Sequence, residues 1–268
     1  MSSKHTFVLC AYGESAYLEE CILSLLAQTV KSEIYLSTAT PNTLIRSLAE
    51  KYSLPLYINE GEKGISADWN FAVSHAKTPY LTIAHQDDVY EPTYAERVLE
   101  AMEKKNTLLA FTDYFEIREG ERVYKNKLLG VKRKLNALLG LFPKSRFMRR
   151  RVLGLGNSIC CPAVTYRTDL FEDFRFDKEY RFVCDWDAWE RLSRLKGAFR
   201  YIKAPLMGHR IHEESATTAL TASSRRAEEE REMFSRFHTR FTVNLLMRSY
   251  AKGAESNTLE KDQKHEKK

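Results

Sequence analysis

Short apolar runs alternate along this chain with stretches whose apolar residues recur every three or four positions. Thr6–Ala11 is apolar almost throughout, as a strand buried on both faces requires. Over residues 17–28, Leu18, Ile22, Leu25 and Leu26 have helical spacing, Ser15 is placed to cap that helix, and Glu19 and Glu20 fall in its first turns. The pattern then predicts a strand at Glu33–Thr38 and a helix at Thr43–Tyr52 with Leu44, Ile45, Leu48 and Ala49 on one face. A short strand at Pro55–Asn59 follows, then a helix at Ser66–His75 that turns Trp69, Ala72 and Val73 inward, and a fourth strand at Tyr80–Ala84. Strands and helices alternating with short links predict an α/β fold, a mostly parallel central sheet flanked by helices. Ligands of such sheets gather at the carboxyl ends of the strands, so the loops after Ala11, Thr38, Asn59 and Ala84 share one rim. No GxGxxG follows the first strand, which removes the usual dinucleotide fingerprint.

Farther along, Thr93–Lys104 reads as a helix and Leu108–Arg118 as a strand. Residues 128–142 set Leu128, Val131, Leu135, Leu138, Leu139 and Phe142 at helical spacing among lysines and an arginine, a basic amphipathic helix. Asn157–Tyr166 is strand-like, and Asp185–Leu195 is helical with Trp186, Trp189 and Leu192. Ala227–Tyr250 is a last long helix, and the charged tail from Lys252 is expected to be disordered. The expected organisation is one domain over residues 1–220, with halves 1–118 and 157–220 around a basic insertion at 119–156. A C-terminal helix at 221–251 and a tail at 252–268 follow. With 268 residues and 43% hydrophobic content, one large α/β domain has enough core. No run approaches the ~18 apolar residues of a membrane span. The opening Met-Ser-Ser-Lys-His-Thr leads straight into a strand, so no signal peptide is expected. Five cysteines without a CxxC fit reduced thiols and a cytoplasmic protein.

The charge is unevenly placed. Arg122–Thr168 holds 12 Lys/Arg and no Asp or Glu; without those 12, the 36 acidic residues outnumber what remains of the 42 basic ones. Such asymmetry points to an anionic partner. The expected one is an anionic membrane surface met by residues 125–151, which would make the protein peripheral on the inner face of the plasma membrane. A solvated helix packed on the domain and a homodimer contact are the other readings of this segment. A nucleic acid is not expected, because no helix-turn-helix, zinc-finger or RNA-recognition pattern is present.

The densest candidate chemistry follows the fourth strand, where His85-Gln86-Asp87-Asp88 puts two adjacent carboxylates at a strand end. Hard oxygen ligands there suit Mg²⁺ or Mn²⁺ with a phosphate on the open side. The alternative is a turn of solvated acids before a helix that begins near Pro92.

Several stretches, taken in order, resemble the family 2 glycosyltransferases of the GT-A fold. They are Val8-Leu9-Cys10-Ala11-Tyr12-Gly13-Glu14, Tyr17–Ile22 and Ser24–Thr29, then Asn59-Glu60-Gly61 and Gly64–Asn70. His85-Gln86-Asp87-Asp88, Cys184–Leu192, and His209-Arg210-Ile211-His212 with Ser215 complete the series. The resemblance implies an inverting transfer from a nucleotide-diphosphate sugar, UDP- or dTDP-linked, to a glycan or lipid-linked glycan hydroxyl, with a divalent metal, Mn²⁺ or Mg²⁺, as cofactor. It implies Asp185 as general base, with a helix-dipole acid as its plain alternative. Donor contacts would come from Ala11, Tyr12, Glu14, Thr38, Asp68, Asn70, Gln86 and Asp87. Metal ligands would be Asp87, Asp88 and His212. The acceptor or phosphate would meet Trp186, Asp187, His209 and Arg210, although Trp186 and Trp189 also suit the core, Asp187 also suits solvent, and Asn70 also suits a loop brace. The chain departs from the family pattern at three places. His85 replaces the first Asp of the DXD motif, Cys184 replaces the Glu of a Glu-Asp pair, and Ser37-Thr38-Ala39-Thr40 lacks an acid that touches base and ribose. A partner subunit with the same fold and no turnover is the alternative these departures raise.

Overall fold

The computed structural model describes residues 3–212 and 224–248. β1 (His5–Ala11), β2 (Glu33–Thr38), β3 (Leu56–Ile58) and β4 (Tyr80–His85) run parallel in one sheet, with α1 (Leu18–Leu26), α2 (Thr43–Lys51) and α3 (Ile65–Val73) as their crossovers. After β4 come β5 (Val89–Tyr90), α4 (Tyr94–Met102), β6 (Thr107–Arg118) and β7 (Glu121–Val123). Two helices follow, α5 (Lys127–Leu141) and α6 (Arg146–Leu153), then β8 (Val164–Arg167), α7 (Leu170–Asp173), α8 (Cys184–Ser193) and β9 (Ala198–Ile211). α9 (Ser224–Ser235) and α10 (residues 240–248) end the described chain.

The nine strands among the described residues lie in the order β3-β2-β1-β4-β8-β6-β9-β5, with β7 hydrogen-bonded to β6. The expected parallel, helix-flanked sheet is present over β1–β4. β8 then pairs antiparallel with both β4 and β6, and the long β9 returns parallel to β6. β1 shows why its sequence is apolar nearly throughout. Phe7, Leu9 and Ala11 enter the core on the α1 and α4 side, while Val8 enters the one on the other face, built from Trp69, Phe111, Tyr166, Trp186, Trp189 and Phe199.

Several expected boundaries move. Ser15 is not the residue that caps α1: the N-cap is Tyr17, and Ser15 accepts the Leu18 N–H one turn earlier. The strand-like run 157–166 becomes a β-strand only from Val164, because a 3₁₀ turn at Cys161–Ala163 carries Pro162. The basic insertion holds two helices. Phe142–Lys144 breaks it at Pro143, and Asn126 and Ser145 cap the pieces by accepting the N–H groups of Leu129 and Met148. The single helix expected over 227–250 is broken at residues 236–239. There the Nε2 of His238 lies 2.6 Å from the Gly154 carbonyl oxygen, and the Arg150 guanidinium covers the Phe237 ring. Residues 249–250, Ser215 and the tail at 252–268 lie outside the described residues.

Candidate active site

The site is built where β4 ends. Asp88 is fully buried. Its Oδ1 accepts the backbone N–H of Arg210 at 2.9 Å and lies 3.1 Å from Nδ1 of His209, both on β9. Asp87 Oδ2 is 3.0 Å from Nε2 of His212, and the Asp87 carbonyl oxygen accepts Nε–H of Arg210 at 2.9 Å. The end of β9, 121–125 residues away in sequence, therefore shapes the turn that holds both acids. Burial opposes a charge on His209, and the charge and hydrogen bond of Asp88 override it, holding the imidazole above its ordinary range.

Gln86 completes the turn. Its Nε2 donates to the Tyr12 carbonyl and its Oε1 accepts the Tyr12 N–H, both at 2.9 Å, so it locks the ends of β1 and β4 together. The Tyr12 ring stays 69% exposed above a fixed backbone. The next residue, Gly13, has φ +60°, and this left-handed turn aims its N–H at Thr40 Oγ1 and its carbonyl at Asn42 Nδ2. Thr38 is buried, and its Oγ1 accepts the Thr40 N–H. The loop at 37–40 thus supports the β1 loop through hydroxyl groups. Ala11 closes β1 within the core, while Glu14 is exposed beside the loop.

A fit test for a divalent metal rests on two orphaned atoms. Oδ2 of Asp88 and Nε2 of His85 are both buried without a hydrogen-bond partner. One ligand atom each from His85, Asp87 and Asp88 can be chosen so that all lie within 4.8 Å of one another. Imidazole nitrogen with carboxylate oxygen is a donor set that Mn²⁺ accepts readily and Mg²⁺ accepts through its oxygens. The residues present fit such an ion. His85 stands where the family resemblance has an Asp, and its ring is held stacked on Trp69, centroids 5.6 Å apart.

Asp185 begins α8 on the other side of the site. Its Oδ1 accepts its neighbour Trp186's N–H at 2.6 Å and its Oδ2 accepts Nδ2–H of Asn157 at 2.9 Å. Burial raises the Asp185 carboxyl above the usual range; Asn157 and Trp186 counter this, followed by the charges of Lys132 and His85. Each oxygen keeps a lone pair for a substrate proton. Cys184, where the resemblance has a Glu, is buried, and its thiol is pushed up chiefly by burial. It is a packing group behind Asp185.

Other sequence candidates are placed elsewhere. Trp186 is 1% exposed, and its Nε1–H donates to the Leu153 carbonyl. Asp187 is fully buried between Arg191 and Arg236. Burial moves both from the acceptor side to the core. Asn70 holds both the N–H and the carbonyl of Phe176 at 2.8 Å, so it braces that segment. Arg210 is 7% exposed, donates to the Asp87 carbonyl and to Glu20, and stacks on Tyr17 with Cζ 4.2 Å from the ring centre. It anchors the Asp87–Asp88 turn and offers little to a phosphate. Asp68 remains half-buried on the rim, its Oδ1 accepting from Asn59, and burial raises its carboxyl.

The residues missed by sequence reasoning come from α5. Lys132 Nζ donates to the Tyr114 hydroxyl at 3.1 Å, and its charge acts on Asp185 and His209. One turn on, Asn136 exchanges hydrogen bonds with Ser158, the neighbour of Asn157. Lys132 and Asn136 are four apart and share a helix face; that spacing of two polar residues within an amphipathic helix was the available signal.

Residues 6–175 match the sequence model of the family described as Glycosyl transferase family 2. An uncharacterized glycosyltransferase of Haemophilus influenzae is 23% identical over 223 residues, covering 76% of this chain and 64% of its own. Glycosyltransferase GlyA of Streptococcus pneumoniae is 23% identical over 188 residues, which span 66% of this chain and 26% of that protein. The chain thus spans less than two thirds of either relative. Among solved structures, S. aureus TarS in complex with UDP-GlcNAc superposes with a TM-score of 0.61 at 15% identity, covering 86% of this chain and 64% of that one. The mannosyltransferase PcManGT of Pyrobaculum calidifontis, in complex with GDP-Man and Mn²⁺, gives a TM-score of 0.63 at 11% identity, over 87% and 63%. At these identities the likeness is one of fold, and it agrees with the α/β, GT-A-like sheet flanked by helices.

Proposed function

This chain belongs to glycosyl transferase family 2, and from that membership we propose that it transfers a sugar from a nucleotide-diphosphate donor to a hydroxyl of a glycan or lipid-linked glycan, with inversion, in surface polysaccharide or glycoconjugate synthesis. The observation that carries the proposal is the pairing of a strand-end acid turn that has orphaned ligand atoms with a separate carboxyl, Asp185, held above its usual range.

In this reading Asp87, with Asp88, His85 and His212 around it, would hold a divalent metal, which would supply positive charge to neutralise the diphosphate. The exposed Tyr12 ring stacks on the nucleotide base, with Thr38 and Asp68 along the same rim. UDP and dTDP are the donors we favour; the TarS structure with UDP-GlcNAc supports the first. Asp185 takes the acceptor hydroxyl's proton as the new C–O bond forms and the bond to the diphosphate breaks. A single displacement of this kind inverts the anomeric carbon. Raised by burial, Asp185 is a stronger base than a solvated Asp once ionised.

The test is thermal stabilisation by UDP, dTDP, GDP and ADP, each with and without Mn²⁺, on wild type and Asp87→Ala. A shift for one nucleotide that needs both Mn²⁺ and Asp87 supports the reading and names the donor class. A folded protein that responds to none would instead favour a partner subunit without turnover.

A further inference from the structure

The basic helices carry more than the site uses. Of the 12 Lys/Arg between Arg122 and Thr168, four make ion pairs with carboxylates: Arg122 with Glu91, Arg133 with Asp113, Arg150 with Glu190, and Arg167 with Asp169. Arg149 is buried against Phe199, and Lys132 reaches into the site. The remaining six, Lys125, Lys127, Lys134, Lys144, Arg146 and Arg151, are exposed, and none makes an ion pair with a carboxylate among the described residues.

Between these cations lie exposed apolar side chains. Leu128, Val131 and Leu138 form one stripe along α5, continued by Leu141, 70% exposed, and Phe142. Their outward face is set by Leu129, Asn136 and Leu139, which occupy the buried side. On α6, Phe147 is 64% exposed under the Arg151 guanidinium, whose Cζ lies 5.0 Å from the ring centre. α10 adds Phe241, 82% exposed, and Leu245 one turn on. A cavity of about 250 Å³ lies between α6 and the 236–239 break before α10; Phe147, Arg150, Arg151, Phe237 and His238 line it, with no carboxylate.

We infer that this face of α5, α6 and α10 is a docking surface for an anionic phospholipid bilayer. Charge complementarity selects the occupant. The core of a protein–protein interface is depleted in lysine, whereas here lysines flank the apolar stripe throughout. Leucines and phenylalanines among lysines and arginines are the composition of a helix lying in the headgroup region, where the apolar groups enter the acyl boundary and the cations stay at phosphate level. No described helix is long and apolar enough to cross a membrane, so the contact is interfacial. The α6–α10 cavity, with its guanidinium, imidazole and phenyl walls, suits a lipid phosphodiester. Inward of the stripe on the same helix, Lys132 rests on Tyr114 and Asn136 on Ser158. Docking would therefore place the reaction centre within about one helix diameter, ~10 Å, of the headgroups. This last step rests on the transfer reading; the docking itself does not.

The test is flotation of the full chain with phosphatidylcholine vesicles and with vesicles of equal parts phosphatidylcholine and phosphatidylglycerol, at low and high salt. The expected result is association with the anionic vesicles alone, at least about tenfold stronger at low salt than at high. Replacing Lys127, Lys134, Lys144 and Arg151 with Gln, or Leu141 and Phe142 with Ser, should each abolish flotation. Circular dichroism and nucleotide-dependent thermal shift on the same samples show that the fold and donor site survive. Equal binding to both vesicle types, no binding to either, or a dimer in light scattering that the Leu141 and Phe142 change dissociates would each overturn the inference. Loss of the nucleotide response with retained flotation would count against the transfer reading alone.

Discussion

Two sets of carboxylates contribute to this candidate site, and they are built in opposite ways. Asp87 and Asp88 end a strand and are surrounded by His209, His212, His85 and the backbone of Arg210. Asp185 lies in the first turn of a helix, is partly buried, and receives hydrogen bonds from two neutral groups, the Asn157 amide and the Trp186 N–H. A site dense in nitrogen donors and carboxylate oxygens, with two atoms left unpartnered, suits a cation. A carboxyl under desolvation and neutral donors is raised, which suits taking and returning a proton. Identical side chains thus acquire different chemistry from their surroundings.

The sharpest way to break this comparison is Asp185→Asn, which keeps the shape and the Trp186 contact and removes the base. The expected loss in kcat is about 10²–10⁴-fold with donor binding intact, the range typical of a general base. An unchanged donor-dependent melting shift beside lost turnover would assign Asp185 to proton transfer. Equal loss of both would place it in binding instead. At the other site, Asp87→Ala should remove metal-dependent stabilisation by the nucleotide. At a ligand concentration of about 100 Kd that stabilisation amounts to about 2.7 kcal/mol, readable as a melting shift. A variant that keeps the full metal-dependent shift would show that the turn does not hold the ion.

The two sites were not equally legible in the sequence. The Asp87–Asp88 turn stands out because an apolar run ending in adjacent acids is a local pattern. Its partners His209, Arg210 and His212 were named only through the family resemblance; the strand that carries them, β9, was not foreseen, because Arg200, Lys203 and Pro205 interrupt its alternation, and its parallel pairing to β6 shifts register at Thr112–Tyr114. Charge counting found the basic segment. It could not separate Arg133 and Arg150, committed to buried acids, from Lys127 and Lys134, which face out. Arg210 and Asp187 looked like ligand-binding groups for the same reason. Their ion pairs link residues far apart in sequence, to Glu20 and Arg236, and only the fold brings these together. The helical pattern over 227–250 ran on without a break, since nothing local marks Phe237 and His238 as pinned to α6.

A smaller effect sharpens the account of Asp185. Asn157→Ala removes a hydrogen bond that lowers its pKa, and Lys132→Met removes a favourable charge. Both changes favour the protonated acid. The base works only when ionised, so the acid limb of the kcat profile should move to higher pH in each variant. A limb that stays in place would mean that these neighbours position Asp185 without tuning it.

A last effect isolates burial from function. His5 lies at the far end of β1, fully buried, between the hydroxyls of Ser32 and Thr82 at 2.9 Å. No carboxylate offsets its desolvation, and the imidazole is pushed down to about 3. Its folded value lies below its unfolded one, so the unfolded chain binds the extra proton. The stability linked to His5 is complete above the unfolded value near 6.5 and is lost as pH falls from there toward 3. Wild type should lose up to about 1.4 kcal/mol per pH unit in that window from this group. His5→Gln keeps a donor for Thr82 and carries no titration, so it should be about 1 kcal/mol less stable at neutral pH and show a flatter decline below it. Urea melts of both proteins from neutral pH down to about pH 4 supply the comparison. Parallel declines would remove His5 from the acid response and leave the carboxylates to account for it. A flatter variant would show that burial alone sets a titration in this sheet, which is the first of the effects acting on Asp185.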